Sequence, residues 1–269
     1  MSNPINNGVL INGRYEHVPG LNITSPGAGA PSWVKLNVGD YRARPRGADG
    51  WVRQVIVHTT KGVWPQTVLP GAGKGDRDKI VADFWNGDPE HSAAQVVFDN
   101  DGSIVCLCDL ALVAAFHAGL SNNWSIGIEM YQELGGGVHE AVYQSMMIFV
   151  PWLCSRFGIA FQIPKGPYLG RPIDRMRNGG PDMVGVFGHR DNTHRRGKGD
   201  PGDEIGKRFA ALGAEQLDFA ANEDITVWTR RQSWLNAHGA RLKVDGIAGP
   251  GTIAAMRAQG FTRGADIPA

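Results

Sequence analysis

"RQVIVHTT", Arg53 to Thr60, is the stretch on which the fold turns. Val55, Ile56 and Val57 make a short, uninterrupted apolar run, the mark of a β-strand covered on both faces. The run ends on a histidine, His58. A second run of this kind, "MVGVF" (Met183–Phe187), leads through Gly188 to His189 and then into a polar, basic loop, "RDNTHRRGKGDPG". Two buried strands that each end on a histidine raise the question of a shared site at one end of a sheet.

The segments between them fit a layered α/β architecture. "AAQVVFD" and "SIVCLCD" flank Asn100-Asp101-Gly102, a strong hairpin signal, and "SIGIEMY" is another strand, carrying Glu129. "KIVADFWNGD" reads as a short helix. In "HEAVYQSMMIFVPWLCSRFG", Val142, Met146, Phe149, Val150, Leu153 and Phe157 recur at helical spacing along one apolar face. Pro151 is expected to kink or interrupt that helix. Asp203 and Glu204 open a further short helix, where the helix dipole favours acids. A mixed β-sheet flanked by helices is the expected fold.

Residues 1–50 are rich in Gly, Pro and Asn, suggest a hairpin at Asn12-Gly13, and form an N-terminal extension of unknown role. Residues 51–218 are the expected catalytic domain. From about residue 219 two helical patterns, "ITVWTRRQSWLNAHGA" and "GPGTIAAMRAQGF", suggest a small all-α C-terminal module.

Bulk composition excludes several classes. A net charge of +1 gives no nucleic-acid-binding footprint. No stretch is long and apolar enough to cross a bilayer, so membrane insertion is not expected. "MSNPINNGVLING" lacks the basic start and apolar core of a secretory signal, which points to a chain that is cytoplasmic when made. Three cysteines, Cys106, Cys108 and Cys154, read as structural thiols of a reducing compartment.

Zinc hydrolases hold their metal with three side chains and keep a fourth position for water. His58 and His189, fixed by a sheet and opening toward its end, suit two of these places. Asp200 is the candidate third ligand, held before Pro201 in extended backbone, with Pro201-Gly202 suited to the centre of a type II turn. Lys198, two positions earlier, faces the same side in an extended segment and could stabilise an oxyanion. Taken singly, each has an ordinary reading: a hydrogen-bonding histidine, a turn, a solvated basic loop. His91 and His194 read as exposed.

In combination and in order, "VIVHTT", "AAQVVFDNDGSI", "AAFHAG", "NNWSIGIEMY" and "GHRDNTHRRGKGDPG" resemble the zinc-dependent N-acetylmuramoyl-L-alanine amidases, including the phage endolysin-like members and the related peptidoglycan recognition proteins. The resemblance spans roughly residues 52–210. It implies Zn2+ on His58, His189 and Asp200, catalysis by Glu129 and Lys198, and substrate contacts from His117 and Asn122. Where many relatives carry Tyr-His or Ala-His ahead of the hairpin strand, this chain has Ala94-Gln95, so an assisting tyrosine is absent. "KVDGIAGPGT" resembles the inter-helix loop of helical peptidoglycan-binding modules. The implied substrate is bacterial peptidoglycan, cut between N-acetylmuramic acid and L-alanine by an endolysin released to the wall at lysis. A non-catalytic peptidoglycan-binding protein, a zinc peptidase acting within the stem peptide and an amidase of muropeptide recycling stand as alternatives.

Overall fold

The structure is a computed structural model that describes residues 8–36, 41–44, 52–60, 77–87, 93–133, 137–165, 183–192, 200–217, 225–244, 250–262 and 267. In chain order the strands are β1 (Val9–Ile11), β2 (Arg14–Glu16), β3 (Ile23–Thr24), β4 (Tyr41–Ala43), β5 (Gln54–Thr59), β6 (Val96–Phe98), β7 (Ile104–Cys106), β8 (Val113–Ala115), β9 (Ser125–Met130), β10 (Gln162–Pro164), β11 (Gly185–Gly188) and β12 (Glu215–Leu217). The helices are α1 (Arg77–Gly87), α2 (Glu140–Phe157), α3 (His189–Asn192), α4 (Asp203–Ala211), α5 (Ile225–Ala237) and α6 (Pro250–Ala258), and a 3-10 turn spans Gly119–Trp124.

Six strands form the central sheet in the order β11-β5-β9-β6-β7-β3. The pairs β11–β5, β5–β9, β9–β6 and β7–β3 are parallel, and only the β6–β7 hairpin is antiparallel. The "VIV" run therefore lies inside the sheet, in β5, with every residue of the strand buried. An α/β architecture with a mixed sheet and flanking helices is what the run predicts.

Each face of the sheet has its own helix. Val142, Met146, Phe149, Val150, Leu153 and Phe157 of α2 are buried against Val55, Val57, Val96, Phe98, Ile126 and Ile128. The helical spacing read in the sequence is thus the packing face. Pro151 does not break the helix, which runs from Glu140 to Phe157; it has no N–H to offer the Met147 carbonyl. On the other face, Val81, Ala82 and Trp85 of α1 pack with Val97 and Val105.

The N-terminal segment is built into this body. β1 and β2 pair through Asn12 and Gly13, both at positive φ (50° and 74°), as a type I′ turn requires. Val9, Ile11, Val18, Leu21 and Ile23 enter the α2-side core, and β3 extends the sheet beside β7. The Asp109 carboxylate anchors the hairpin tip by accepting from the Asn12 and Gly13 amides at 3.1 and 2.7 Å.

The three cysteines are buried free thiols, as read from the sequence, and burial pushes Cys106 and Cys154 up to about 12. Leu235 of α5, Met256 of α6 and Ile267 beyond them form a separate small cluster.

One local expectation is corrected. Gly202 sits at φ −69°, ψ 170° as the residue before α4, whereas a type II turn centred on Pro201-Gly202 needs a φ near +80° at that glycine. Gly202 is extended backbone that opens a helix, and the Asp200-Pro201 peptide is cis.

Candidate active site

Alternation along parallel strands assembles the site. Val55 and Val57 of β5 face α2, so Ile56 and His58 face the other way. Ser125, Gly127 and Glu129 of β9 share that second face, and His58 stands in register with Glu129. β11 ends at Gly188, so His189 is the first residue of α3 rather than the last of a strand. With Phe187 packed beside Ile56, it continues the same face.

His58, His189 and Asp200 meet there, all three buried. Nδ1 of His58 lies 2.8 Å from Nδ1 of His189, and that atom lies 3.2 Å from Oδ2 of Asp200. The other carboxylate oxygen, Oδ1, accepts from the Thr59 amide at 3.0 Å, while the Asp200 carbonyl accepts from the Arg190 amide at 2.9 Å. One oxygen is therefore tied to β5 and the other is aimed at the histidines. Two imidazole nitrogens and a carboxylate oxygen are a zinc-type donor set, and tetrahedral bonds of ~2.0–2.1 Å put neighbouring donors about 3.3 Å apart. The His189–Asp200 separation is close to that, and all three donors lie within 4.8 Å of one another, so these residues fit the metal.

The residues behind this triad were less visible in the sequence. Nε2 of His58 is 3.0 Å from Nδ1 of His117, and Nε2 of His117 is 3.1 Å from Oγ of Ser125. His117 is 5% exposed, so its ring lies inside the protein behind His58, with both nitrogens on protein groups. Burial, with the charges of His189 and Arg44, pushes its pKa well below the usual histidine range. A Cβ on Gly127 would fall 2.6 Å from Cγ of His117; the glycine of "SIGIE" makes the room for that ring. Asn122 Oδ1 accepts from the His117 and Ala118 amides at 3.0 and 2.6 Å and closes the loop that carries the histidine.

Two further residues hold β9. Gln95 accepts from the Gly127 amide through Oε1 at 2.6 Å and donates from Nε2 to the Ser125 and Val113 carbonyls at 3.3 Å. Arg44, from the N-terminal segment, donates to the Leu110 carbonyl at 2.6 Å and to the carbonyls of Ser125 and Asn122. Burial lowers its pKa to about 10. An arginine in a Gly/Pro-rich segment carries no sequence signal for such a role. Glu129 is half-buried beside His58 in the neighbouring strand. Lys198, His91, His194, Arg195 and Arg196 lie outside the described residues.

Among curated proteins no sequence match is found. The structure is similar to a selenomethionine derivative of AmpD (21% identity, TM-score 0.41, covering 66% of this chain and 94% of that one). It is also similar to the N-acetylmuramoyl-L-alanine amidase LysC from Clostridium intestinale URNW (15%, 0.40, 69% and 100%). A third similar structure is the Ph2119 endolysin from Thermus scotoductus MAT2119 bacteriophage Ph2119 (16%, 0.39, 66% and 93%). The family model described as N-acetylmuramoyl-L-alanine amidase matches residues 48–203, more than half of the chain, and spans β5 to β11 with His58, His117, His189 and Asp200. The chain belongs to the N-acetylmuramoyl-L-alanine amidase family.

Proposed function

We propose that the protein is a zinc-dependent peptidoglycan amidase that cleaves the bond between N-acetylmuramic acid and L-alanine. The observation that carries this reading is the convergence of His58 Nδ1, His189 Nδ1 and Asp200 Oδ2 on one buried point at the end of the sheet. His58, His189 and Asp200 would hold the zinc, which when bound supplies a Lewis acid that acidifies water and polarises the scissile carbonyl.

The chain's own groups do the rest. The Glu129 carboxylate, beside His58 on the same face, takes the proton of the attacking water and returns it to the leaving amine of L-alanine. The Lys198 ammonium, two residues before Asp200, steadies the negative charge that develops on the carbonyl oxygen. The absence of a tyrosine at Ala94-Gln95 leaves proton transfer to Glu129, since the buried Gln95 amide is occupied with β9.

The helical pair after residue 219 supplies a second contact with the wall and raises the local concentration of the catalytic body. The whole chain then acts as an endolysin, made in the cytoplasm and reaching peptidoglycan at lysis. No helix among the described residues is long and apolar enough to cross a membrane.

Mass spectrometry of the products released from purified peptidoglycan tests the reading. Stem peptides with a free L-alanine amine, released by the zinc-loaded protein and not after chelation, are the expected result. Cuts within the stem peptide would make the protein a peptidase, and wall binding without any release would make it a recognition protein.

A further inference from the structure

Ser121, Ser125, His117 and His58 form a hydrogen-bonded row whose direction is fixed at one end. The Ser121 carbonyl can only accept, so the Ser125 hydroxyl, 2.7 Å away, points its single hydrogen there. Toward His117, Oγ of Ser125 offers only lone pairs, and the 3.1 Å contact needs the hydrogen on Nε2 of His117. That ring is buried with a hydroxyl oxygen and a second imidazole as the partners of its two nitrogens, neither of them a counter-charge, so the row accommodates it as a neutral ring with a lone pair on Nδ1. The 3.0 Å contact from Nδ1 to His58 then needs a hydrogen on Nε2 of His58. An imidazole protonated at Nε2 presents its lone pair at Nδ1, the atom that faces His189 and Asp200.

We infer that His117 is a positioning residue of the metal centre, which through Ser125 holds His58 in the Nε2–H tautomer and so delivers His58 Nδ1 as a ready ligand. The inference rests on the metal reading of the triad given above. Neighbouring residues keep the row in place. Gly127 leaves space for the His117 ring, Asn122 takes the two amides at 117 and 118, and Arg44 and Gln95 fix the carbonyl of Ser125. A second-row partner of this kind fixes a ligand's tautomer and orientation, and its loss costs about 10- to 100-fold in metal affinity.

Two measurements on the full chain test it. In metal-free protein labelled with 15N-histidine, ring proton–nitrogen correlations should show both His58 and His117 protonated at Nε2. A hydrogen on Nδ1 of His58 overturns the inference whatever zinc does, whereas a wild-type chain that takes up no zinc breaks the metal reading and leaves this result standing.

Zinc affinity by chelator competition then separates the variants. Asparagine places an amide oxygen near the position of His117 Nδ1, glutamine places its amide near Nε2, and leucine offers neither. His117→Asn should stay within a few-fold of wild type, while His117→Gln and His117→Leu lose about 10- to 100-fold. The melting temperature of each metal-free variant controls for folding. Wild-type affinity in a folded His117→Leu, or equal losses in the Asn and Leu variants, overturns the inference. Should the leucine variant fail to fold, Ser125→Ala removes only the orienting oxygen. It should raise the Nδ1–H population of His58, and an unchanged tautomer there overturns the inference equally.

Discussion

The two faces of the central sheet are made from the same few strands and do opposite work. Toward α2, β5 and β9 present Val55, Val57, Ile126, Ile128 and Met130, a wholly apolar surface. One residue along in each case, the other face presents Ile56, His58, Ser125, Gly127 and Glu129. The first face is built for burial alone. The second keeps enough apolar contact, through Ile56 and Phe187, to stay rigid while it carries polar groups that would be costly there without partners. Stability and chemistry are thus separated by a single step along the chain, and substitutions on the two faces should fail in different ways.

The largest effects test that separation directly. Glu129→Gln should lower hydrolysis by about 10²- to 10⁴-fold, the usual worth of a positioned acid–base group, with zinc content and melting temperature unchanged. Assay of peptide release against metal analysis checks it, and full activity would remove Glu129 from the proton transfer. Phe149→Ala, on the opposite side, should cost about 3–5 kcal/mol in denaturant unfolding, because its ring is fully buried between α2 and β6 beside Phe98. Activity per folded molecule should be retained. A Phe149→Ala protein that is stable but inactive would show that the faces are coupled.

The contrast between the faces also explains what could be read from the sequence. The α2 face was legible because a helical period of apolar residues has one physical meaning, and Asn12-Gly13 because a two-residue turn needs that chemistry. His58, His189 and Asp200 were legible as a set because two apolar runs each led to a histidine and a short loop held the third donor. The row behind them was not legible. His117 stacks over Gly127 ten residues away in sequence, and only the folded loop shows that the glycine is space for a ring. Arg44 reaches carbonyls 66 and 81 residues distant, which no local pattern encodes. The extended Gly202 escaped because Pro-Gly suits several backbone shapes, and the start of α4 selected one of them.

Gly127→Ala probes a residue on the site face whose contribution is volume rather than a polar group. The added methyl must displace the His117 ring, so zinc affinity should fall by about 10-fold and stability by about 1–3 kcal/mol. Loss of stability with unchanged affinity would detach His117 from the metal site.

Polar burial on the α1 side but away from the site gives a smaller, pH-dependent effect. Burial, reinforced by Asp99, raises Asp78 to about 8, and Asp99 is raised as well. A carboxyl whose folded pKa lies above its unfolded value near 4 keeps a proton in the native state that the unfolded chain has released. Stability should therefore fall as pH rises from about 4 to about 8. Asp191, raised to about 7 by burial, acts in the same sense, so the difference between wild type and Asp78→Asn isolates the pair. Urea unfolding at pH 5 and pH 8 should show a shallower decline in the variant. An identical decline would mean that Asp78 is ionised in the native protein.

The smallest effect belongs to the rim of the apolar face, where Arg156 of α2 holds Glu16 of β2 through two contacts of 2.6 Å. The geometry is that of a paired guanidinium and carboxylate, yet both side chains are about a third exposed (31% and 29%), and water and salt weaken such pairs. Arg156→Ala should cost less than about 1 kcal/mol, and the difference from wild type should shrink further as salt is raised. What fastens the N-terminal hairpin to the body is instead the burial of Val9 and Ile11 beneath it, together with the Asp109 carboxylate at its tip. A loss above about 2 kcal/mol that persists in high salt would reverse that order. It would mean that the rim of this face, and not its apolar interior, decides whether β3 reaches the edge of the sheet.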